Sequence, residues 1–401
     1  MLFRSEAIAL ASRHAPDHWA WRGGVYPFLP PAAPVSPLAF GDNFSLRSTG
    51  GVEDRQDNRS LAERSRRVEE IKAWLENHPD AHDELKIAPF VELGDLLYSL
   101  KDFQEAEHHW REVVLPFHRR RGDARAEAIS LVKIADILQL RGCLEEALQI
   151  YQEEAGPIFE KLGLVRLKAM TVRKIADVYE ARKQLEEALR IRQEELLPVY
   201  ETLGDQHSKA VVSGKIADIM QARGRLVEAL FIRQQDQLPI FKSLDDAHSV
   251  AVTMGRIADI FQARGQFDEA LLIRQKEQLP VYERFGDKHS EAVTMGKIAE
   301  ILQARGQWYA AREIREKKEL PVYQQENDLR ASAMTIIKII EILLASEEAE
   351  EAWKNYQRKA SPAFDRLDDE DRLLAYSKVA DLFQSYGHPD AALKIRQQEA
   401  I

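Results

Sequence analysis

The sequence predicts an all-α solenoid built from one repeated pair of helices. Seven prolines recur at intervals of 41 residues, namely Pro116, Pro157, Pro198, Pro239, Pro280, Pro321 and Pro362. The segment Lys-Ile-Ala-Asp at 133–136 returns in the same register at 174–177 and 215–218, and with related residues at 256–259 and 297–300. A fixed period of this length is typical of chains in which each unit buries an apolar face on its neighbours.

Each unit contains two predicted helices. In one copy, Ala251, Met254 and Ile257 have the three-and-four spacing of a buried helical stripe, which we assign to helix A. Gly265 follows where a helix end favours a left-handed residue, and helix B begins near Phe267. We therefore expect about 17 helices and almost no strand.

The repeated proline falls well inside helix B. A proline in a helix interior costs about 3 kcal/mol, because it removes a hydrogen bond and crowds the preceding turn. Either helix B kinks there, or it stops and a short third helix begins with the proline at its start. Val281, Tyr282 and Phe285 continue the apolar pattern beyond Pro280, which favours a kink.

The chain divides into three predicted parts. Residues 1–57 lack the repeat and are proline-rich and polar, which is typical of a mostly disordered arm. Residues 58–80 carry an amphipathic pattern that suits an N-terminal capping helix. Residues 81–401 form the predicted solenoid, with seven full repeats and a truncated eighth. Because that eighth unit still presents Ala391 and Leu393 in the buried pattern, we expect two chains to associate through it.

Composition excludes several classes of function. The net charge of −10 disfavours a nucleic-acid partner. The single cysteine, Cys143, cannot form an intramolecular disulfide and indicates a reducing compartment, so we expect a cytoplasmic protein. The sequence has no apolar run long enough to predict a membrane span. A phosphate loop, a nucleophile elbow, a zinc motif and a kinase motif set are also lacking, so we predict no catalytic, cofactor or metal site.

The repeat resembles the tetratricopeptide repeat. The resemblance rests on the order large apolar, small, large apolar, turn glycine and small, seen in Ile134, Ala135, Leu138, Gly142 and Ala147. It covers about residues 85–401 and implies a right-handed superhelix. The unit exceeds the ordinary 34 residues, which is similar to the extended repeats of kinesin light chains. It is also similar to bacterial arrays found alone or behind nucleotide-binding signalling and defence domains.

Two features depart from the family pattern. The family usually has a second small residue seven positions after the first alanine of helix B, whereas this chain has Glu154, Glu195, Asp236 and Glu277 there. This departure leaves the packing of the second half of helix B open. The asparagines with which chaperone-binding members clamp a terminal carboxylate are also absent, which disfavours a heat-shock chaperone adaptor.

In tetratricopeptide arrays helix A lines the concave groove, so the resemblance implies two charged ladders there. The basic ladder is Lys133, Lys174, Lys215, Arg256, Lys297, Lys338 and Lys378. The acidic ladder is Asp136, Asp177, Asp218, Asp259, Glu300, Glu341 and Asp381. One interpretation is a self-satisfied network in which each lysine reaches the acid of an adjacent unit. The other is a groove that binds a peptide carrying both charges.

Two further columns repeat in helix A. Gly214, Gly255 and Gly296 indicate either a close helix approach or room for a ligand backbone, and we favour the close approach. The column of His207, His248 and His289 is expected to make hydrogen bonds at helix starts, because successive copies are too far apart to share a metal.

The leading functional hypothesis is a non-enzymatic scaffold that captures a protein or peptide partner. The alternative is a sensor or regulatory arm of a bacterial nucleotide-switch system.

Overall fold

The computed structural model describes residues 60–80 and 82–399, so the predicted arm at 1–57 lies outside the described residues. Within them the chain forms 17 helices and no strand, as predicted. Helix α1 spans Leu61–Asn77 and precedes the repeats. The remaining 16 helices form eight A–B pairs arranged as a right-handed superhelical solenoid.

The A helices share one length of 17 residues. They are α2 (Asp83–Ser99), α4 (Ala124–Leu140), α6 (Val165–Ala181), α8 (Gln206–Ala222), α10 (Ala247–Ala263), α12 (Lys288–Ala304), α14 (Leu329–Ala345) and α16 (Asp369–Ser385). The B helices are α3 (103–121), α5 (144–161), α7 (185–202), α9 (226–243), α11 (267–285), α13 (308–325), α15 (349–364) and α17 (Pro389–Glu399). From the second pair onward, each A helix packs against the B helix before it and the B helix after it.

Aspartates fix the starts of most A helices. The carboxylate of Asp246 accepts a 3.0 Å hydrogen bond from the backbone N–H of Ser249 at the start of α10. An N-cap of this kind stabilises a helix by about 1 kcal/mol. The same cap is made by Asp123, Asp205, Asp287, Asp328 and Asp368. At the other end of α10, Gly265 adopts the predicted left-handed conformation with φ of +74°.

Helix B widens into a π-helical turn directly before each repeated proline. In α11 the segment Arg274–Gln278 is π-helical, and the α-helix resumes over Leu279–Phe285 with Pro280 in its first turn. The corresponding π segments are Trp110–Val114, Ile150–Ala155, Ile191–Leu196, Ile232–Gln237, Arg315–Glu319 and Tyr356–Ala360. In a π turn the hydrogen bonds span five residues rather than four, which relieves the crowding at the proline ring. The helix therefore continues through the proline, and the alternative of a separate third helix is wrong.

The π turn also explains the departure from the family pattern. An extra residue in the turn moves the buried stripe forward by one position. Seven residues after the buried Ala188, Glu195 is exposed, while Leu196 at the eighth position is buried. The buried position that the family pattern fills with a small residue therefore lies one residue later in this chain. It is occupied by Ala155, Leu196, Gln237 and Gln278.

The core runs along the solenoid and includes α1. The alanines of the repeated Ile-Ala pair have no exposed surface, and they are Ala135, Ala176, Ala217, Ala258 and Ala299. At the N-terminal side α1 buries Val68 and Ile71, and Arg67 forms a 2.9 Å ion pair with Glu92 of α2. That α1 caps the solenoid remains a prediction.

Candidate functional site

One face of each A helix remains accessible, and we call this surface the A face. In α10 it consists of His248, Val252, Arg256, Asp259 and Ala263, which recur every three or four residues. The equivalent residues of α8 are His207, Val211, Lys215, Asp218 and Ala222. The A face thus carries, in parallel rows, the two charged ladders and a row of apolar side chains.

Contacts between repeats show that the A faces of neighbouring helices adjoin. Lys174 Nζ lies 2.7 Å from Asp136 Oδ1, and Lys133 Nζ lies 3.0 Å from Asp95 Oδ1. Each lysine therefore reaches the acid of the preceding repeat, as the self-satisfied network requires.

Further along the chain this pairing stops. Lys297 and Lys338 instead pair within their own helices, with Glu300 and Glu341, each at 3.0 Å. Lys378 lies against the sulfur of Met334 at 3.9 Å, and burial together with Lys338 lowers its pKa. The expected continuous network between the two ladders is therefore wrong, in part because side chains of the B helices hold several of the acids.

The B helices contribute a column of buried large side chains that sequence reasoning missed. Each column member is at most 2% exposed and lies at or next to the first residue of its π segment. At 41-residue spacing the column is Trp110, Tyr151, Arg192, Arg233, Arg274, Arg315 and Tyr356. The 41-residue spacing of these residues is visible in the sequence. Arginine is rarely buried, however, so the residue type did not indicate that these side chains lie in the interior.

These arginines engage the carboxylates of the A face from the interior. Arg192 Nη2 lies 2.5 Å from Asp177 Oδ1 and 2.7 Å from Glu180 Oε2. Arg274 Nη2 lies 2.5 Å from Asp259 Oδ1. Arg233 donates to Asp218, and the Tyr151 hydroxyl donates to Asp136. Further along, Arg315 Nη2 is 4.0 Å from Glu300 Oε1. Asp177, Asp218 and Asp259 are therefore held by helix B rather than by the basic ladder.

A second side chain on the same B helix holds each central arginine. Arg274 Nη1 donates to Gln278 Oε1 at 3.0 Å, and Arg315 Nη1 donates to Glu319 Oε2 at 2.8 Å. Arg233 makes the same 3.0 Å contact with Gln237. Burial lowers the pKa of the Arg233 guanidinium, an effect that Asp218 opposes. Burial raises the pKa of the Glu319 carboxyl, although Arg315 and Thr335 act in the other direction.

The glycine column makes room for these side chains. A Cβ atom at Gly255 would lie 2.9 Å from Cδ of Gln278, closer than real Cβ contacts. Gly214 stands in the same relation to Gln237, and Gly296 to Glu319, again at 2.9 Å. The predicted close approach is confirmed, with a side chain of helix B as the approaching group. The alternative of room for a ligand backbone is wrong, because that space is filled.

Two cations in the middle of the A face have no anionic partner. Lys215 and Arg256 are both exposed, and neither has a carboxylate within 4.0 Å among residues 60–80 and 82–399. The acids that stand one repeat earlier, Asp177 and Asp218, are held by the buried Arg192 and Arg233.

The histidine column links neighbouring repeats instead of starting helices. His289 Nδ1 lies 2.8 Å from Glu326 Oε2, and its ring packs edge-on against Tyr323 with centroids 5.6 Å apart. His207 and His248 lie 3.7 and 3.9 Å from the carboxylates that cap the next A helices. The prediction of helix-start hydrogen bonds is wrong, because the aspartates two residues earlier already fill that role.

Within the described part of the chain, no group of three or more His, Cys, Asp or Glu side chains could hold a metal ion. No described helix is long and apolar enough to cross a membrane.

A cavity of about 560 Å³ adjoins the A face and is lined by Gln262, Glu300, Gln303, Trp308 and Lys338, among others.

No protein-family model matches the sequence, and no curated protein matches it. Among solved structures, the chain is similar to a signal transduction ATPase with numerous domains and a tetratricopeptide repeat sensor from Pyrococcus horikoshii. That match has a TM-score of 0.54 at 17% identity over 86% of this chain, and covers 54% of the ATPase, about half its length.

Two further similar structures are matched over nearly their whole length. The apo quorum sensor NprR from B. thuringiensis has a TM-score of 0.53 at 13% identity, covering 85% of this chain and 96% of that chain. Aspartyl phosphate phosphatase F from Bacillus subtilis has a TM-score of 0.51 at 14% identity, covering 87% and 95%. At these identities the likeness concerns the fold alone. The fold is a tetratricopeptide-like repeat solenoid.

Proposed function

We propose that this chain is a non-enzymatic binding scaffold whose A face is the concave groove and receives an extended peptide or protein segment. The observation that carries the proposal is the make-up of that face. A row of accessible apolar side chains, including Val211, Val252 and the 42%-exposed Val293, runs beside a row of charged ones across successive repeats. Apolar contacts supply affinity and the flanking charges supply orientation, which suits a linear ligand.

Site-specific photo-crosslinking tests this proposal. A benzophenone amino acid placed at Val252 is expected to crosslink a partner in lysate of the source cells. The same group placed at Leu272, which is 60% exposed on helix α11, serves as a control away from the A face. Crosslinks from Leu272 but not from Val252 would move the binding surface to the B helices.

The sensor alternative rests on one observation. The ATPase from Pyrococcus horikoshii is described as having a tetratricopeptide repeat sensor, and this chain matches 54% of it. Under this alternative the solenoid regulates a nucleotide-binding effector, in the same polypeptide or in another. Recovery of a nucleotide-binding protein among the Val252 crosslinks would favour it.

We also retain two narrower proposals, a cytoplasmic location and self-association through the eighth helix pair. Exposed apolar side chains on that pair support the second, since Leu373 is 54% and Leu393 is 56% exposed. Light scattering of the full chain tests it. A monomer at micromolar concentration would contradict self-association, whereas a dimer abolished by Leu373→Glu with Leu393→Glu would support it.

A further inference from the structure

We propose that the middle of the A face recognises an extended acidic segment through Lys215 and Arg256, with two carboxylates about three residues apart. This inference rests on the proposed function of the A face and names the chemistry of its ligand.

The buried column of the B helices affects whether a cation of the A face is paired. At Trp110 and Tyr151 of the buried column, the lysine of the next repeat pairs with the acid of that unit, as Lys133 does with Asp95 and Lys174 with Asp136. At Tyr356 the acid of the unit is Glu341, which pairs with Lys338 of its own helix instead. Tyr151 donates one neutral hydrogen bond to Asp136 and leaves the acid's charge available to Lys174.

Where the buried column holds arginine, the acid is already neutralised. Asp177 is engaged by Arg192, and Asp218 by Arg233. The cations that would otherwise pair with these acids are Lys215 and Arg256, and both remain exposed without a carboxylate among the described residues. The paired Lys133 and Lys174 side chains are only 26% and 25% exposed.

Among the described members of the basic ladder, Lys215 and Arg256 are the two that are exposed and lack a carboxylate partner, because Lys378 is half-buried against Met334. In α12 and α14 the acidic ladder has Glu in place of Asp, and the longer side chain reaches the lysine one turn earlier in its own helix. Lys297 and Lys338 are neutralised in this way, each at 3.0 Å from its glutamate. An excess of unpaired positive charge therefore lies on α8 and α10.

Lys215 and Arg256 hold the same position on successive A helices, and the Lys174–Asp136 contact shows that the faces of such helices adjoin. Packed helices lie about 8–10 Å apart, and a β-like chain rises about 3.3 Å per residue. Carboxylates about three residues apart along the ligand therefore match cations on successive A helices. The accessible Val211 and Val252 lie one turn before Lys215 and Arg256 and offer contacts for an intervening apolar side chain.

The test is a selection from a phage-displayed library of random dodecapeptides against the full chain. Counter-selection uses the variant Val211→Trp with Val252→Trp, whose helical circular dichroism spectrum is first shown to match the wild type. Peptides support the inference if they bind the wild type but not the tryptophan variant and carry two Asp or Glu residues about three residues apart. Neutral or basic peptides with the same dependence overturn it and leave the proposed function standing. Peptides that bind both proteins equally, or no enrichment at all, contradict the proposed function itself.

The affinity of a recovered peptide for two charge variants then distinguishes a specific contact with Lys215 and Arg256 from a general effect of net charge. In Lys215→Gln with Arg256→Gln the affinity is expected to fall by about tenfold or more, because the ligand's carboxylates lose their charged partners. The matched control is Lys297→Gln with Lys338→Gln, which removes the same charge from cations that are already paired. An equal loss in both variants would overturn the inference.

Discussion

Arg233 donates to Asp218 from a side chain that is only 2% exposed, and Asp218 is thereby withheld from Arg256 on the next A helix. The same residue pattern in α4 and α6, with a buried tyrosine in place of arginine, leaves the acid to pair with a lysine of the next repeat. In the first repeats, up to the one that contains Arg256, the residue at one buried position of helix B therefore affects the charge that the A face presents.

The contact between the glycine column and helix B predicts that the effect of a glycine substitution on stability changes sign when its partner on helix B is removed. Gly255→Ala is expected to destabilise the chain by about 1 kcal/mol, because the new methyl group displaces Gln278 and its hydrogen bond to the buried Arg274. In a Gln278→Ala background the same substitution is expected to stabilise by up to about 1 kcal/mol, because alanine favours a helix over glycine. Urea unfolding of the four proteins measures both values. A gain in both backgrounds would show that Gln278 does not require the glycine.

The fold could be predicted from the sequence because every 41-residue unit repeats the same pattern of buried positions. Positions such as Ala258 and Gly265 are fixed by local helix geometry, which sequence patterns report directly. The charged site was harder to predict. Whether Asp218 pairs with Arg256 of the basic ladder or with Arg233 of helix B depends on a π turn that brings Arg233 inward, and residue spacing does not reveal that turn.

The π turn predicts that the repeated proline costs little. Pro239→Ala is expected to change the free energy of unfolding by less than about 1 kcal/mol, because the widened turn before it already avoids the crowding. As a control, Val252→Pro in the regular helix α10 is expected to lose about 3 kcal/mol or more. Thermal and urea unfolding measure both variants. A gain near 3 kcal/mol for Pro239→Ala would mean that the proline is strained after all.

The buried Glu319 predicts a pH-dependent stability difference. Burial raises its folded-state pKa above the ordinary 4.5, so folding favours the protonated form. The stabilisation this gives is present below the unfolded pKa and is lost as pH rises through the folded pKa. Glu319→Gln copies Gln278 of the preceding repeat and is expected to gain stability relative to wild type as pH rises from about 4.5 toward neutrality. Urea unfolding across this range measures the difference, and a difference that shrinks with rising pH would contradict the direction of the shift.

The most direct test of the central claim measures how tightly Arg233 variants bind an acidic peptide recovered from the selection. Arg233→Met keeps the buried volume similar but releases Asp218 to pair with Arg256, so the affinity is expected to fall by about tenfold. Adding Asp218→Asn is expected to restore it, because Arg256 is then free again. Arg284→Met, an equal charge change at an exposed position on α11, serves as the control and is expected to leave the affinity nearly unchanged. Unchanged affinity in Arg233→Met, or no recovery on adding Asp218→Asn, would contradict the claim that the buried arginines free the cations of the A face.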